Sequence, residues 1–228
     1  MFIIQIIFII YIFLLIYHIR NIQKYNFNGY IIDVKDYLQL KENLRLLNPV
    51  VMNSNILNIH FDKLIHKNIE IIHENLSFHL NEIDKLKKIL IYKNNKIYHD
   101  LKIDHLLSFK FNELPFNELN LIKYKSITIL KENQYLSSKC CFHNFNIIGV
   151  IKGSSTFYLF NPKHNEEIKD KSNKQIKKWG HKKIVKENNI IFIPPYWNYI
   201  QETKDLSIQI NIDIDNIFTF IPNFFKDI

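Results

Sequence analysis

The chain opens with an apolar run at residues 2–17, FIIQIIFIIYIFLLIY, which only Gln5 interrupts. As an α-helix this run extends about 24 Å, and continuing it through Ile19 brings it close to the roughly 30 Å of a bilayer core. A cleavable signal peptide would need a basic leading segment and a small-residue cleavage site, and the run has neither. A buried core helix is a third reading. The pattern favours a retained transmembrane helix, with residues 1–20 as the membrane anchor and residues 2–19 in contact with lipid.

Basic residues lie only on the C-terminal side of this run, at Arg20, Lys24 and Lys35. The positive-inside rule therefore predicts a single-pass protein whose remaining residues lie in the cytosol. Residues 21–32 are polar and contain a glycine, which predicts a linker. A folded domain is expected over residues 33–228.

The first part of this domain has a mixed pattern. Residues 33–47 show helical spacing of apolar positions, with Asp33 as a possible N-cap. NPVVMN at 48–53 predicts a short strand entered through Pro49. Residues 56–72 again show helical periodicity, whereas 82–92, EIDKLKKILIY, is compatible with either a helix or a strand.

After about residue 124 the pattern changes to short β-rich runs: SITIL, NIIGVIKG, STFYLF, NIIFIPPYW and LSIQINIDI. In the last run Leu206 and the isoleucines at 208, 210, 212 and 214 alternate with polar residues, which predicts a half-buried strand. Short strands at this spacing are typical of a sandwich or barrel. The polar stretch 163–183 is expected to form a loop or short helix over the barrel mouth.

Composition narrows the function classes. The chain has 228 residues and a net charge of +8, and it contains no alanine, which indicates an AT-rich genome such as that of a large DNA virus or a protist. Much of the lysine content follows from that bias, and no nucleic-acid-binding motif accompanies it, so a nucleic-acid partner is not expected. Cys140 and Cys141 are adjacent and form no disulfide framework, which favours a reducing compartment.

Three segments carry a resemblance to a known family. The first is NPVVM at 48–52. The second runs from Asn146 through Gly153 to FYLFNP, which ends at Pro162. The third is IIFIPPYW at 190–197, with Pro194, Pro195 and Trp197. In order and spacing these resemble the cupin-like branch of the JmjC (factor-inhibiting) family of double-stranded β-helix oxygenases. The resemblance implies a mainly β jelly-roll domain with flanking helices.

The same resemblance locates the family's functional positions, and all four are changed in this chain. The family's His-x-Asp pair falls at Cys140 and Phe142, its 2-oxoglutarate lysine at Ser155, and its second histidine at Tyr199. Members that are active hold Fe(II) with two histidines and a carboxylate. His143 could contribute only if the strand register slipped, and it is otherwise expected on the surface or in a loop. No metal, cofactor or catalytic residue is therefore expected, and these four residues should line a pocket that has lost its chemistry.

The sequence thus predicts a membrane-anchored, non-catalytic cupin-like protein that acts as a binding or structural module with an unknown protein partner. Two alternatives stay open. One is an active Fe(II)/2-oxoglutarate-type oxygenase with non-standard ligands, and the other is a basic module that binds lipid or nucleic acid.

Overall fold

The computed structural model describes residues 2–24, 30–52, 64, 70–73, 76–86, 89–103, 120–131, 133–169 and 171–216. The helices are α1 (Phe2–Lys24), α2 (Tyr37–Arg45), α3 (Asn95–Asp100), α4 (Asn165–Ile168) and α5 (Asn173–Ile176). Short 3-10 helices cover Leu80–Lys85, Pro162–His164 and Lys177–Trp179. The strands are β1 (Ile32–Val34), β2 (Val50–Met52), β3 (Glu70–His73), β4 (Leu76–His79), β5 (Ile89–Asn94), β6 (Asn120–Lys131), β7 (Tyr135–Cys140), β8 (Phe145–Phe160), β9 (His181–Lys186), β10 (Ile190–Ile193), β11 (Asn198–Glu202) and β12 (Ser207–Asn216).

Two sheets share the long strand β8. Sheet I has the order β1-β2-β10-β8-β12-β6-β5, and sheet II has the order β9-β8-β11-β7. The pairs are antiparallel except for β1 and β2, which run parallel. The prediction of a mainly β domain with flanking helices is confirmed, and the arrangement is consistent with a cupin-like β-sandwich.

Gly153 lies where β8 passes from one sheet to the other. Residues 145–153 pair with β12, whereas residues 154–160 pair with β9 and β11. Gly153 has a φ of +77°, and a Cβ at this position would lie 2.0 Å from the Leu206 carbonyl oxygen. Only glycine adopts this conformation without strain and leaves that space free. The runs NIIGVIKG and STFYLF are therefore one bent strand and not two.

Three apolar cores hold the layers together. The largest packs α2 and α3 on the outer face of sheet I, with the β12 isoleucines among its members. The second lies between the sheets and includes Ile148, Val150, Phe157 and Trp197. The third joins Phe160 and Ile200 to Ile168 and Ile176. The polar stretch expected over the barrel mouth thus packs its two short helices on the outer face of sheet II.

Several local expectations are corrected near the N-terminus of the domain. Asp33 lies in β1, and the N-cap of α2 is Asp36, whose side chain accepts a hydrogen bond from the Gln39 N–H at 2.9 Å. The β2 strand is as predicted. Segment 82–92 contains both the end of a 3-10 helix and the start of β5. Most of segment 56–72 lies outside the described residues, and its last part belongs to β3.

Helix α1 covers the apolar run and exposes most of its large side chains, from Phe2 to Tyr17. A transmembrane helix was expected here. Within the described part of the chain, no helix has the combination of length and apolar character that a membrane crossing requires.

Candidate functional site

Strand β12 turns its polar face into the space between sheets I and II, which is called the interior of the barrel below. Ile208, Ile210, Ile212 and Ile214 belong to the core outside sheet I. Side chains alternate along a strand, so Ser207, Gln209, Asn211, Asp213 and Asp215 lie on the opposite face, and all five are buried. Gln209 and Asn211 pair in register with Val150 and Ile148 of the core between the sheets. The predicted half-buried strand is therefore buried on both faces, because α2, α3 and sheet II cover the two sides.

One end of this polar face forms a network of uncharged side chains. Gln209 Nε2 donates to Ser155 Oγ at 2.6 Å and lies 2.8 Å from Ser207 Oγ. Gln201 Nε2 donates to Gln209 Oε1 at 2.6 Å and lies 3.2 Å from Ser155 Oγ. All four side chains are buried. Buried polar groups that bond to one another in this way fill the space and stabilise a single packing arrangement.

The other end of the face is charged and centres on Lys93. The β5–β6 register shifts between Ile91 and Asn94, and Lys93 has a φ of +45°. Such a bulge redirects a side chain, and a left-handed conformation is costly for a residue other than glycine. The Lys93 N–H donates to Thr128 Oγ1 at 3.0 Å. The bulge directs the Lys93 ammonium to the carboxylate of Asp213.

Lys93 Nζ lies 2.8 and 2.6 Å from the two carboxylate oxygens of Asp213. The two side chains are 21% and 6% exposed. Burial opposes the charged form of Lys93, but the opposing electrostatic effects, first among them the attraction of Asp213 and then those of Tyr92 and of the Asp213 hydrogen bond, together raise the pKa of the lysine above its usual value. The Asn146 amide also donates to Asp213. The pair is therefore a partly buried ion pair with an additional hydrogen bond.

His143 and Asp215 lie next to this pair. His143 Nδ1 is 3.0 Å from Asp215 Oδ2, and His143 Nε2 is 3.8 Å from Asp213 Oδ2. The histidine was expected on the surface or in a loop. It does lie in the loop after β7, and its side chain, 22% exposed, turns towards the two carboxylates. The loop, and not a slipped strand register, makes this approach possible.

The structure places two of the four predicted pocket residues inside the barrel. Tyr199 is 2% exposed, and Ser155 belongs to the uncharged network. Burial is the largest cause that raises the pKa of the Tyr199 phenol well above its usual value, and the nearby Tyr92 and Asp213 raise it further. Tyr199 therefore lies near the charged end as a neutral phenol.

Cys140 and Phe142 do not line the interior as expected. The β7–β11 register sets Lys139 opposite Tyr199 and Cys140 opposite Asn198, so Cys140 lies on the other face of the strand. Phe142 follows the end of β7 and is 45% exposed. Cys141 enters the core instead, with Sγ 3.5 Å from the Ile193 carbonyl oxygen, and burial raises the pKa of its thiol well above the usual value.

The motif residues of the resemblance hold the site together. Trp197 is fully buried and its indole N–H donates to the Leu47 carbonyl at 3.2 Å. Pro194 and Pro195 follow β10 and are buried. The next residue, Tyr196, donates from its N–H to the Cys141 carbonyl at 2.6 Å. Pro162 begins a 3-10 helix that the Asn161 side chain caps. Asn146 faces Asp213, and its Oδ1 has no partner among the described residues.

These residues do not fit the metal and cosubstrate that the resemblance implies. Both oxygens of Asp213 are taken by Lys93, and an ammonium at this distance repels a second cation. Tyr199 offers a neutral phenol, and non-haem Fe(II) favours imidazole and carboxylate ligands. The described partners of Ser155 are the uncharged Gln201, Ser207 and Gln209, and none of them is a cation that could pair with a 2-oxoglutarate carboxylate. Within the described residues, no group of three or more His, Cys, Asp or Glu is arranged to hold a metal ion.

Three residues of the site, Lys93, Asp213 and Asp215, were not predicted from the sequence. The signal for the two aspartates is the choice of polar residues on β12, which are Ser, Gln, Asn and Asp although Lys and Arg together number 30 in the chain. A solvent-facing strand of such a chain would be expected to carry lysine, because lysine is almost never fully buried. No comparable signal marks Lys93, since its role depends on a bulge and on a contact 120 positions away along the chain.

Comparisons with known proteins add little. No family model matches the chain, and no curated protein matches it. The crystal structure of the coconut allergen cocosin is similar over 41% of this chain and 22% of that chain, with a TM-score of 0.32 and 7% sequence identity. A likeness this weak carries no argument about function.

Proposed function

We propose that this protein is a non-catalytic binding or structural module, built on a cupin-like barrel of JmjC type. The observation that carries the proposal is the ion pair between Lys93 and Asp213, which puts an internal ammonium at the end of the barrel near Tyr199, the position of the second histidine in the family that the sequence resembles. The ammonium supplies a positive charge that balances the carboxylate, so this carboxylate does not need a metal ion for that purpose.

The uncharged network supports the same proposal. In an active relative the region around Ser155 would receive the cosubstrate carboxylate. Here Gln201 and Gln209 fill that region and bond to Ser155 and Ser207. A small molecule would have to displace buried side chains whose hydrogen bonds are already made, which is unfavourable. A partner is therefore expected to bind the outer surfaces of the domain.

The test is a thermal unfolding series on the full chain in non-ionic detergent, with Mn(II) as the redox-stable probe for Fe(II), with and without 2-oxoglutarate. A ligand at 100 times its Kd would stabilise the fold by about 2.7 kcal/mol. We expect a Tm shift below about 1 °C, because neither probe should bind. For a chain of this size such a shift corresponds to less than roughly 0.5 kcal/mol in the free energy of unfolding. A saturable rise that requires both Mn(II) and 2-oxoglutarate would refute the proposal.

A matched pair of variants sharpens this test. Y199H adds an imidazole near Asp213 and His143, but Lys93 still occupies the carboxylate. K93L/Y199H removes the ammonium and leaves two imidazoles and a carboxylate, the set that suits non-haem Fe(II). We expect Mn(II) binding in the double variant only. Equal binding by Y199H alone would show that Lys93 does not block a metal.

We also propose that α1 attaches the domain to a membrane. Most of the large apolar side chains of α1 between Phe2 and Tyr17 are exposed, for example Phe2 at 74% and Phe13 at 70%. An apolar surface of this extent favours burial in lipid or against a partner. The basic residues that follow the run, Arg20 and Lys24, suit the headgroups of the cytosolic leaflet. The β domain would then lie in the cytosol.

Vesicle flotation tests this second part. The full chain is expected to float with neutral phosphatidylcholine vesicles. It should also remain bound in roughly 1 M salt, where charge interactions are screened beyond about 3 Å, because apolar burial does not depend on charge. The variant I9K/F13K, which places two charges on α1, is expected to stay with the soluble fraction. Salt-sensitive binding, or flotation of I9K/F13K equal to that of the unchanged chain, would contradict attachment through α1.

A further inference from the structure

The polypeptide enters the β domain beside strand β9. The Tyr30 ring lies 6.1 Å from the His181 ring, centroid to centroid, and Asp33 forms an ion pair with Lys183. Both His181 and Lys183 belong to β9. The entry point of the domain is therefore fixed against this strand by a ring contact and by a charge contact.

Chain length limits how far β9 can be from α1. Helix α1 ends at Lys24, and the next described residue is Tyr30. Six residue steps span at most about 20 Å when fully extended. If α1 inserts in a membrane, as proposed above, β9 cannot be much farther than this from the end of the inserted helix.

The outer face of sheet II beside β9 is only partly covered. The helices α4 and α5 pack on Phe160 and Ile200, which lie on the same outer face. The uncovered part is a groove of about 420 Å³ whose lining includes Lys177, Lys182, Ile184 and Lys204, and also the acidic residues Glu202 and Asp205. Ile184 is 50% exposed. One side of the domain thus carries an open groove with a lysine-rich border.

The charges in this groove are not all neutralised within the domain. Lys177 pairs with Glu202, which also accepts from the Tyr158 hydroxyl at 2.9 Å. Among the described residues, no carboxylate lies within ion-pair distance of Lys182, Lys186 or Lys204, although Asp205 also lines the groove and Glu202 attracts Lys182 at longer range. Lys186 extends the same face of β9, two positions beyond Ile184. These lysines can accept an external anionic partner.

We propose that this surface, formed by Lys182, Ile184, Lys186 and Lys204 and called the β9 face below, lies on the anionic headgroups of the membrane that holds α1. The inference rests on the proposed membrane attachment. The tether favours lipid over an acidic protein, because it keeps the entry point of the domain beside β9 within about 20 Å of the inserted helix. Phosphate and carboxylate headgroups are the anions available there, and each nearby lysine raises partitioning about fivefold.

Lysine acylation followed by mass spectrometry tests the β9 face on the full chain. The protein is bound either to neutral phosphatidylcholine vesicles or to vesicles with 30 mol% phosphatidylserine, a roughly physiological choice of anionic content. We expect acylation of Lys182, Lys186 and Lys204 to fall several-fold on the anionic vesicles. Lys96 and Lys102 are exposed on or next to α3, outside sheet I, and serve as controls that should not change.

The two ways to fail are distinct. Flotation with neutral vesicles together with equal acylation on both vesicle types would overturn the β9 face and leave α1 attachment standing. Failure to float with neutral vesicles would overturn attachment, and the β9 face with it. Protection that appears equally on Lys96 and Lys102 would indicate general shielding and would also count against the proposal.

Variants give an independent measurement. In competition between neutral and anionic vesicles, K182Q/K186Q/K204Q should lower the preference for the anionic population by up to about fivefold for each lysine removed. The control K96Q/K102Q should stay within about twofold, since its lysines face away from the membrane. An unchanged preference in the triple variant would refute the inference. Thermal unfolding of both variants checks that each remains folded.

Discussion

Replacing Lys93 by methionine tests the ion pair on which the proposed function depends. The ammonium lies 2.6 Å from one Asp213 oxygen, and the carboxylate is 6% exposed. The negative charge is shared by both carboxylate oxygens, so its centre lies farther from the ammonium than the nearer oxygen does. Two unit charges about 3.5 Å apart attract by about 5 kcal/mol at an effective dielectric constant of about 20. The cost of removing Lys93 from water offsets part of this, and its 21% exposure limits that cost.

We expect K93M to lower the free energy of unfolding by about 3 kcal/mol, because it leaves a buried carboxylate without a counter-ion. For a domain of this size the Tm should fall by about 6–12 °C. The pKa of Lys93 is raised, so the stabilisation is fully present at neutral pH and is lost only as the pH rises through that pKa. Measurement at pH 7 therefore reports the whole effect.

The assay is urea unfolding of the full chain in detergent micelles, arranged as a double-mutant cycle with D213N. The double variant K93M/D213N carries neither charge, and its new amide can still accept from Asn146, so we expect a coupling energy of at least about 1.5 kcal/mol. K96M, on the exposed side of α3, should change stability by less than about 0.5 kcal/mol. A K93M effect as small as that of K96M, or an additive cycle, would refute the reasoning.

Three further predictions concern the interior. G153A should cost more than about 3 kcal/mol and reduce soluble expression, because its Cβ would meet the Leu206 carbonyl; a soluble variant with an unchanged Tm would contradict this. Q209L should lower stability by about 2–3 kcal/mol, since it leaves the hydroxyls of Ser155 and Ser207 without that donor; an unchanged urea midpoint would argue against the network. Cys141 is buried with a raised pKa and Cys140 is partly exposed, so C140S should abolish the fast reaction with a thiol reagent and C141S should retain it; equal rates in the two variants would disprove this.

Local signals were sufficient for the scaffold. The run NPVVMN predicted β2, and alternation at 206–214 identified a strand at β12. Asn188 has a φ of +63° in the turn between β9 and β10, a conformation that asparagine tolerates better than most residues. These features depend on neighbours in the chain, because strand period and turn preference are properties of a few consecutive residues.

The residues that determine the site could not be predicted from local sequence patterns. The same alternation at β12 could not say which face would meet solvent, because that depends on the layers that cover each side. Cys140 and Phe142 were assigned to the interior by counting positions, and the register of β7 with β11 and the loop after β7 placed them elsewhere. Lys93 reaches Asp213 through a bulge on a distant strand.

The amino-acid pattern alone determined that this chain forms short strands and that an apolar helix covers residues 2–17. Only the tertiary structure decided which polar residues meet between the sheets. An ion pair between Lys93 and Asp213, and a network around Ser155, join strands that are far apart in sequence. Such contacts exist only after the sheets close, because they depend on distance and burial and not on sequence neighbours.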